Sequence, residues 1–172
     1  MPVLNILKYP DPLLKKVSSV VREMSPEVSS FILDLLDTMR ASPAAVGIAA
    51  PQVGAHLRII IVDVTPKHPG HGLTILINPE IISSTGLRTG REGCLSIPEY
   101  TANIHRTQSV TVKGLTPSMQ EIVIESSGFE AVAFQHELDH LDGILFIDRI
   151  SNMKRDLFKR KSKGYANGNP AS

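Results

Sequence analysis

The chain has 172 residues, of which 42% are hydrophobic and 20% are charged, and its formal net charge is +1. This length suits one globular domain whose core needs no disulfide. With so small a net charge, the chain as a whole has no electrostatic attraction to membranes or nucleic acid, and we expect no specific DNA partner. Any charged partner must bind a local patch of charged residues. Apolar runs such as Ile59–Val62 are too short to cross a bilayer, and residues 1–8 lack signal-peptide features. We therefore expect a cytoplasmic protein.

Helices are predicted near the N-terminus. The segment Pro10–Pro12 precedes a short helical stretch, Leu13–Val21. Ser25 and Pro26 suit the N-cap and the first position of a longer helix, which Pro43 ends. Three apolar residues recur in that helix at helical spacing: Phe31, Leu35 and Met39.

The middle of the chain predicts strands, and a capped helix follows them. The strands are Ile59–Val64, Leu73–Ile77, Ser109–Lys113 and Glu121–Glu125. The helix runs from Gly128 to Asp142, because Ser127 and Glu130 have capping-box spacing and Gly143 suits a helix stop. A final basic helix is expected over about Ser151–Lys163. Because the predicted strands are grouped in the middle of the chain and do not alternate with helices, the pattern favours an α+β fold.

Two histidines with metal-binding spacing lie in the capped helix. His136 and His140 are four residues apart, so at about 100° per residue they are offset by only about 40° around the helix. Both imidazoles can therefore reach one ion, and Glu137 lies beside that ion without having to bind it. Two nitrogen ligands and a carboxylate that takes a proton from water are typical of a hydrolytic metal site. The alternative is a chance pair of surface histidines.

A third metal ligand has to come from outside this helix. No histidine follows His140, and the acids beyond the helix are Asp148 and Asp156. Cys94 is the better candidate, because one thiolate and two nitrogens leave a position open for water. A nearby metal would keep Cys94 as a thiolate. Without a metal, a lone cysteine is more often a small buried apolar residue.

Three segments match the signature motifs of one enzyme family. They are Gly47-Ile48-Ala49-Ala50-Pro51-Gln52, Glu92-Gly93-Cys94-Leu95-Ser96 and Gln135-His136-Glu137-Leu138-Asp139-His140. In order and spacing, and together with Tyr9–Pro12, they resemble peptide deformylases over nearly the whole chain. One departure is Ala45, where the family usually has glycine. The resemblance implies a metal-dependent hydrolase that removes the formyl group from the N-terminal formyl-methionine of newly synthesised proteins and releases formate.

The resemblance also implies a role for each motif residue. One divalent ion per chain is held by three residues: Cys94, His136 and His140. Fe²⁺ is expected natively, with Zn²⁺, Ni²⁺ or Co²⁺ as alternatives, because a His₂Cys site does not by itself choose among them. Glu137 acts as the general base and passes the proton to the departing amine. The Gln52 side chain and the Leu95 backbone N–H stabilise the oxyanion of the intermediate.

A substrate methionine also needs an apolar pocket beside the metal. Three residues on the His136 face of the helix are expected to line it: Phe129, Val132 and Ala133. Val46 and Gly47 resemble the opposite wall. Asp139 and Asp142 are expected to be solvated, with orientation of a ligand histidine as the alternative. The remaining histidines are expected at the surface: His56, His68, His71 and His105.

Other functions remain open at this point. A metallopeptidase that cleaves internal peptide bonds is the nearest alternative, followed by an inactive metal- or peptide-binding relative and by a thiol redox sensor. The predicted organisation is one catalytic domain over residues 1–165, with antiparallel sheets around the metal-binding helix, and a disordered tail over 166–172. The basic residues of the C-terminal helix predict either a contact with ribosomal RNA or a solubilising surface.

Overall fold

The computed structural model describes residues 2–161. The predicted helix Leu13–Val21 is wrong beyond its first turn, because only a 3₁₀ turn forms, at Pro12–Lys15. The backbone that follows bonds to distant elements. The Ser18 N–H, for example, donates to the Leu141 carbonyl at 2.8 Å. A helix cannot continue where its N–H groups are committed to other partners.

Helix α1, Pro26–Arg40, begins as its sequence predicts. The Ser25 hydroxyl accepts a hydrogen bond from the Val28 N–H at 3.2 Å, which is the N-cap interaction. Its inner face buries Ile32, Leu35, Leu36 and Met39. These side chains pack with Ile48, Ile59, Ile61 and Ile77 of the neighbouring sheet, so α1 covers one face of that sheet.

In the described part of the chain, eight strands form two antiparallel sheets. The strands are β1 (Gly47–Ala49), β2 (Ile59–Val62), β3 (Thr74–Thr85), β4 (Arg88–Cys94), β5 (Ile97–Arg106), β6 (Ser109–Leu115), β7 (Glu121–Ser127) and β8 (Leu157–Lys159). The larger sheet has the order β1-β2-β3-β6-β7, and the smaller one has the order β4-β5-β8. The four predicted strands correspond to β2, β3, β6 and β7, whereas β1, β4 and β5 were not predicted and β8 lies in a predicted helix.

The C-terminal segment differs from its prediction. Only one turn of the expected helix forms, as α3 (Met153–Asp156), and the chain then extends as β8. Strand β8 pairs with β5, with Phe158 opposite Thr101 and Leu157 opposite Ala102. Pairing with an available sheet edge therefore outweighs the helical preference of the lysines and arginines. The end of that predicted helix, and the predicted tail, lie outside the described residues.

Helix α2, Gly128–Leu141, packs on the larger sheet, and its polar side chains contact the smaller sheet. Phe134, Leu138 and Leu141 pack with Ile60 and other residues of the larger sheet. The predicted capping box is wrong, since the Ser127 side chain makes no cap hydrogen bond. The helix does stop at the expected place, and Gly143 has a φ of 72° in close contact with the Lys15 carbonyl, where a side chain would not fit.

The arrangement confirms the α+β class, with two antiparallel sheets that both contact a buried helix. The second sheet contributes its own small core, which includes Leu14, Ile97, Ile104 and Phe146. Strand β4 of this sheet ends at Cys94, and α2 carries the two motif histidines. The fold therefore positions the site at the junction of the smaller sheet and α2. Among residues 2–161, no helix is long and apolar enough to span a membrane.

Candidate metal centre and substrate cleft

Strand β4 and helix α2 bring the three predicted metal ligands together. The Cys94 Sγ lies 3.4 Å from His140 Nε2, and one ligand atom from each of Cys94, His136 and His140 lies within 4.8 Å of the others. The two imidazole rings are 5.1 Å apart, centroid to centroid, and meet edge to face. A thiol and two imidazoles at these separations fit a divalent transition metal with one open coordination position.

A carboxylate that received no role from the sequence orients one ligand histidine. Glu92 Oε1 lies 2.9 Å from His136 Nδ1, which leaves Nε2 directed at the centre. Arg106 donates to both oxygens of Glu92, at 2.8 and 2.9 Å. Burial alone would raise the pKa of Glu92, but the hydrogen bonds from Arg106 and His136 outweigh it and lower this pKa to about 2. Glu92 is therefore a fixed negative charge behind His136.

Asp139 is buried rather than solvated, which corrects its prediction. Its carboxylate accepts hydrogen bonds from Arg106 at 2.7 Å and from Arg149 at 2.7 Å. It contacts neither ligand histidine through these bonds, so Arg106 links it to Glu92 instead. Asp142 is half exposed and pairs with Arg58 at 3.0 Å. The buried network fastens α2, β4 and β5 to one another.

His140 lies deeper than His136 and is in the form that a metal requires. Burial, with a smaller contribution from the charge of His136, lowers the pKa of His140 well below its usual value. A neutral imidazole presents a lone pair to a cation. Within residues 2–161 its Nδ1 makes no hydrogen bond, and Nε2, which faces Cys94, is the atom available to a metal.

Glu137 is a buried carboxylate that forms no ion pair with any residue of the described range 2–161. Its Oε2 has no hydrogen-bond partner in the described part of the chain, and burial raises its pKa to about 7. Gly47 lies directly against it, because a Cβ at Gly47 would be 2.8 Å from Glu137 Oε1. The carboxylate therefore occupies space that only a glycine in β1 leaves open. A group with this pKa can exchange a proton near neutral pH.

The 3₁₀ turn Ala50–Val53 carries Gln52 into the same site. The Ala49 N–H donates to Gln52 Oε1 at 3.0 Å, which fixes the amide so that its NH₂ group points at the metal centre. Gln52 Nε2 lies 3.5 Å from Cys94 Sγ and donates to Ser96 Oγ at 3.1 Å. The predicted catalytic residue Gln52 is thus a buried, oriented donor beside the candidate metal ligands.

A cleft of about 560 Å³ opens onto this centre. The predicted substrate-binding residues all line it: Val46, Gly47, Phe129, Val132 and Ala133. Leu95, Gln52 and Glu137 line it as well, as does Ala45. His140 lies beneath the cleft and does not line it.

The loop between β2 and β3 forms part of the cleft wall. His68 and His71 are exposed, as predicted, yet each has a specific contact. The His68 ring stacks on Phe129 with centroids 4.0 Å apart, and both the His71 N–H and its Nδ1 lie 2.6 Å from the buried Glu130 carboxylate. Glu130 thus anchors the loop to α2 instead of capping the helix.

Comparisons with known proteins agree on one family. Residues 3–156 match the family model described as polypeptide deformylase. The chain is 46% identical over 163 residues to a peptide deformylase of Thermodesulfovibrio yellowstonii, covering 95% of this chain and 98% of that protein. It is 41% identical over 163 residues to peptide deformylase 2 of Vibrio cholerae, covering 95% of each chain.

Solved structures are similar over the same length. A peptide deformylase from Legionella pneumophila superposes with a TM-score of 0.83 at 36% identity, covering 90% of this chain and 89% of that one. A class I type b peptide deformylase from Acinetobacter baumannii, bound to Met-Ala-Ser, gives a TM-score of 0.81 at 35% identity over 87% of this chain and 99% of that one. The chain therefore belongs to the peptide deformylase family, the metal-dependent enzymes that remove the formyl group from the N-terminal methionine of newly synthesised proteins.

Proposed function

We propose that Glu137 is the general base for formamide hydrolysis in this protein. The observation that carries this proposal is its buried, unpartnered carboxylate, with a pKa of about 7, next to the cluster of Cys94, His136 and His140. A base in this state can take a proton from the attacking water and return it to the departing amine. Burial of Glu137 keeps its carboxyl group close to the point at which it can either accept or release a proton at neutral pH.

We further propose that Cys94, His136 and His140 hold one divalent ion, Fe²⁺ in the native protein. When bound, such an ion supplies the Lewis acidity that polarises the formyl carbonyl and acidifies the attacking water. The Glu92 carboxylate holds the His136 ring in its ligand orientation through the 2.9 Å contact at Nδ1. The donor set also suits Zn²⁺, Ni²⁺ and Co²⁺, so the identity of the ion is a matter for metal analysis.

Two donors stabilise the negative charge that develops on the formyl oxygen in this proposal. They are the Gln52 side-chain amide and the Leu95 backbone N–H. The fixed orientation of the Gln52 amide by the Ala49 N–H supports its role, since a preorganised donor costs no reorientation during the reaction. Leu95 lies in the same cleft, one residue after Cys94.

The apolar end of the cleft is proposed to bind the methionine side chain. It is lined by Val46, Gly47, Phe129, Val132 and Ala133, which offer the small and apolar surface that a thioether prefers. The Met-Ala-Ser peptide in the Acinetobacter baumannii structure supports a peptide with N-terminal methionine as the product. A nascent formyl-methionyl polypeptide is accordingly the substrate of this chain.

The test compares wild type with Glu137→Gln at equal metal content. Glutamine keeps the shape but cannot accept the proton, so formate release from formyl-Met-Ala-Ser should fall about 10²- to 10⁴-fold. An unblocked internal peptide should be left intact by both proteins, which separates this function from that of a metallopeptidase. Near-normal turnover in the metal-loaded variant would remove Glu137 from the chemistry.

We also propose that residues 1–165 form one catalytic domain that works in the cytoplasm, where nascent chains emerge. The basic C-terminal segment of this domain is proposed to contact the ribosome. Lys154, Lys159 and Lys161 are exposed there, and phosphate neutralisation by such residues gives weak, salt-sensitive binding. Changing all three to glutamate should reduce co-sedimentation with ribosomes at low salt. Equal co-sedimentation across a salt series would favour a solubilising role instead.

A further inference from the structure

Two arginines line the outer part of the cleft on the side of the smaller sheet. Arg91 and Gly93 alternate with the buried Glu92 along β4, so they lie on the same face of the strand, and both line the cleft. Arg160, just after β8, enters the same cleft and its guanidinium packs against Gly93, in the space that a side chain there would occupy. We call Arg91 and Arg160 the cleft arginines.

The Arg91 side chain is held in place by neutral partners. Arg91 donates from Nε to Asn103 Oδ1 at 3.1 Å, and its guanidinium carbon lies 3.7 Å from the centroid of the Phe158 ring. The backbone N–H of Arg160 donates to the Glu99 carbonyl at 2.7 Å, which places the Arg160 main chain beside β5. A guanidinium already held by its neighbours, as that of Arg91 is, loses less entropy when it binds an anion than a free side chain does.

No carboxylate of residues 2–161 forms an ion pair with either cleft arginine, whereas four other arginines of this small protein do have such partners. The cleft has two carboxylates, but Glu92 is paired with Arg106 and Glu137 lies at the buried end. Lys8 and Lys67 add further positive charge to the lining. The outer cleft is therefore cationic and can pair with a carboxylate that the substrate supplies.

We propose that the cleft arginines bind a carboxylate on the third residue of the substrate, so that the enzyme prefers nascent chains with an acidic side chain two positions after the methionine. The proposal rests on the assignment of the metal centre above. Arg91 precedes Cys94 by three residues of strand, which is about 10 Å at about 3.3 Å per residue. In an extended peptide, the third residue lies at a similar distance from the formyl carbon.

Binding of reaction products tests this recognition without requiring turnover. Calorimetry would compare Met-Ala-Asp-amide with Met-Ala-Asn-amide, two peptides of equal shape that differ by one charge. We expect the aspartate peptide to bind about fivefold more tightly to wild type, because a partly exposed ion pair typically increases affinity by about this factor. This preference should fall to about one in the double variant Arg91→Gln/Arg160→Gln. Equal binding of the two peptides to wild type would overturn the proposal.

A matched variant and a third peptide separate this recognition from the effects of net charge and of a free C-terminus. The double variant Arg22→Gln/Arg40→Gln removes two exposed positive charges that lie outside the cleft lining, so it should keep the preference if the cleft arginines cause it. Loss of the preference in this control would instead assign it to net charge and overturn the proposal. Met-Ala-Asn with a free C-terminus supplies an α-carboxylate. If this peptide binds tightly and the aspartate amide does not, the cleft arginines recognise the C-terminal carboxylate of short peptides. That result would refute the claim for nascent chains.

Kinetics on the formylated versions of the same peptides then distinguish substrate recognition from hydrolysis. The ratio of kcat/KM for the aspartate and asparagine peptides should follow the binding ratio in wild type and in the double variant. If both peptides release formate with equal kcat/KM and also bind equally, the recognition of acidic residues is overturned, whereas the proposed hydrolysis stands. Preferential binding without formate release would contradict the proposed hydrolysis and still support the cleft arginines.

Discussion

Gly47→Ala should impair catalysis through the position of the Glu137 carboxylate. An added Cβ would lie 2.8 Å from Glu137 Oε1 and 3.0 Å from its Cγ, whereas ordinary contact begins near 3.4 Å. One partner must therefore move by about 0.6 Å. Glu137 is only 4% exposed and lies on a buried helix, so the carboxylate has little room to shift without leaving its place at the metal centre.

Misplacement of a catalytic group by about 1 Å can cost about 10²-fold in rate. We therefore expect kcat/KM for formyl-Met-Ala-Ser to fall about 10- to 100-fold, which corresponds to about 1.4–2.7 kcal/mol of transition-state stabilisation. Formate release at matched metal content is the assay. Gly90→Ala is the control, since a Cβ there meets only Arg88 Nη2 at 4.0 Å. A Gly47→Ala enzyme as active as the Gly90→Ala enzyme would refute the packing argument.

Three further predictions concern the supports of the site. Arg106→Leu should destabilise the protein by about 3–5 kcal/mol in urea unfolding, because it removes the guanidinium that donates to both oxygens of the buried Glu92 and leaves Asp139 with Arg149 alone; a loss below about 1 kcal/mol would contradict the network. Cys94→Ser should lose its metal on dialysis, as measured by elemental analysis, since a hydroxyl is a much weaker ligand than a thiolate. Glu130→Ala should raise KM about threefold and speed amide exchange at His71, because the cleft loop loses its anchor; unchanged exchange would show that the loop is held otherwise.

Most residues of the candidate site could be predicted from local sequence motifs. Histidines four apart on a helix must share a face, and the N-cap at Ser25 is set by its own neighbours, so both could be read directly from the sequence. The cleft residues of α2 followed from the same periodicity. The family resemblance supplied Gln52 and Leu95, whose roles no spacing rule indicates.

Long-range pairing explains what the sequence did not reveal. Strand β4 is rich in charge and glycine and lacks apolar alternation, so its sequence does not resemble a strand, and its partner β5 stabilises it. Glu92 reaches His136 across 44 residues of chain, a contact that depends on how β4 packs on α2. The same holds for Glu130, which suits a capping box in the sequence but binds the loop at His71 in the fold. Segment Leu157–Lys159 became a strand because an edge of β5 was available.

Diffraction at the iron absorption edge, on crystals of protein purified without oxygen, tests the central claim most directly. An anomalous difference map should show one strong peak per chain, bonded to the Cys94 thiolate and to the Nε2 atoms of His136 and His140. Glu137 should lie beside that peak without coordinating it. A protein that releases formate from formyl-Met-Ala-Ser while its metal is bound by other residues, or while it contains no metal, would contradict the account.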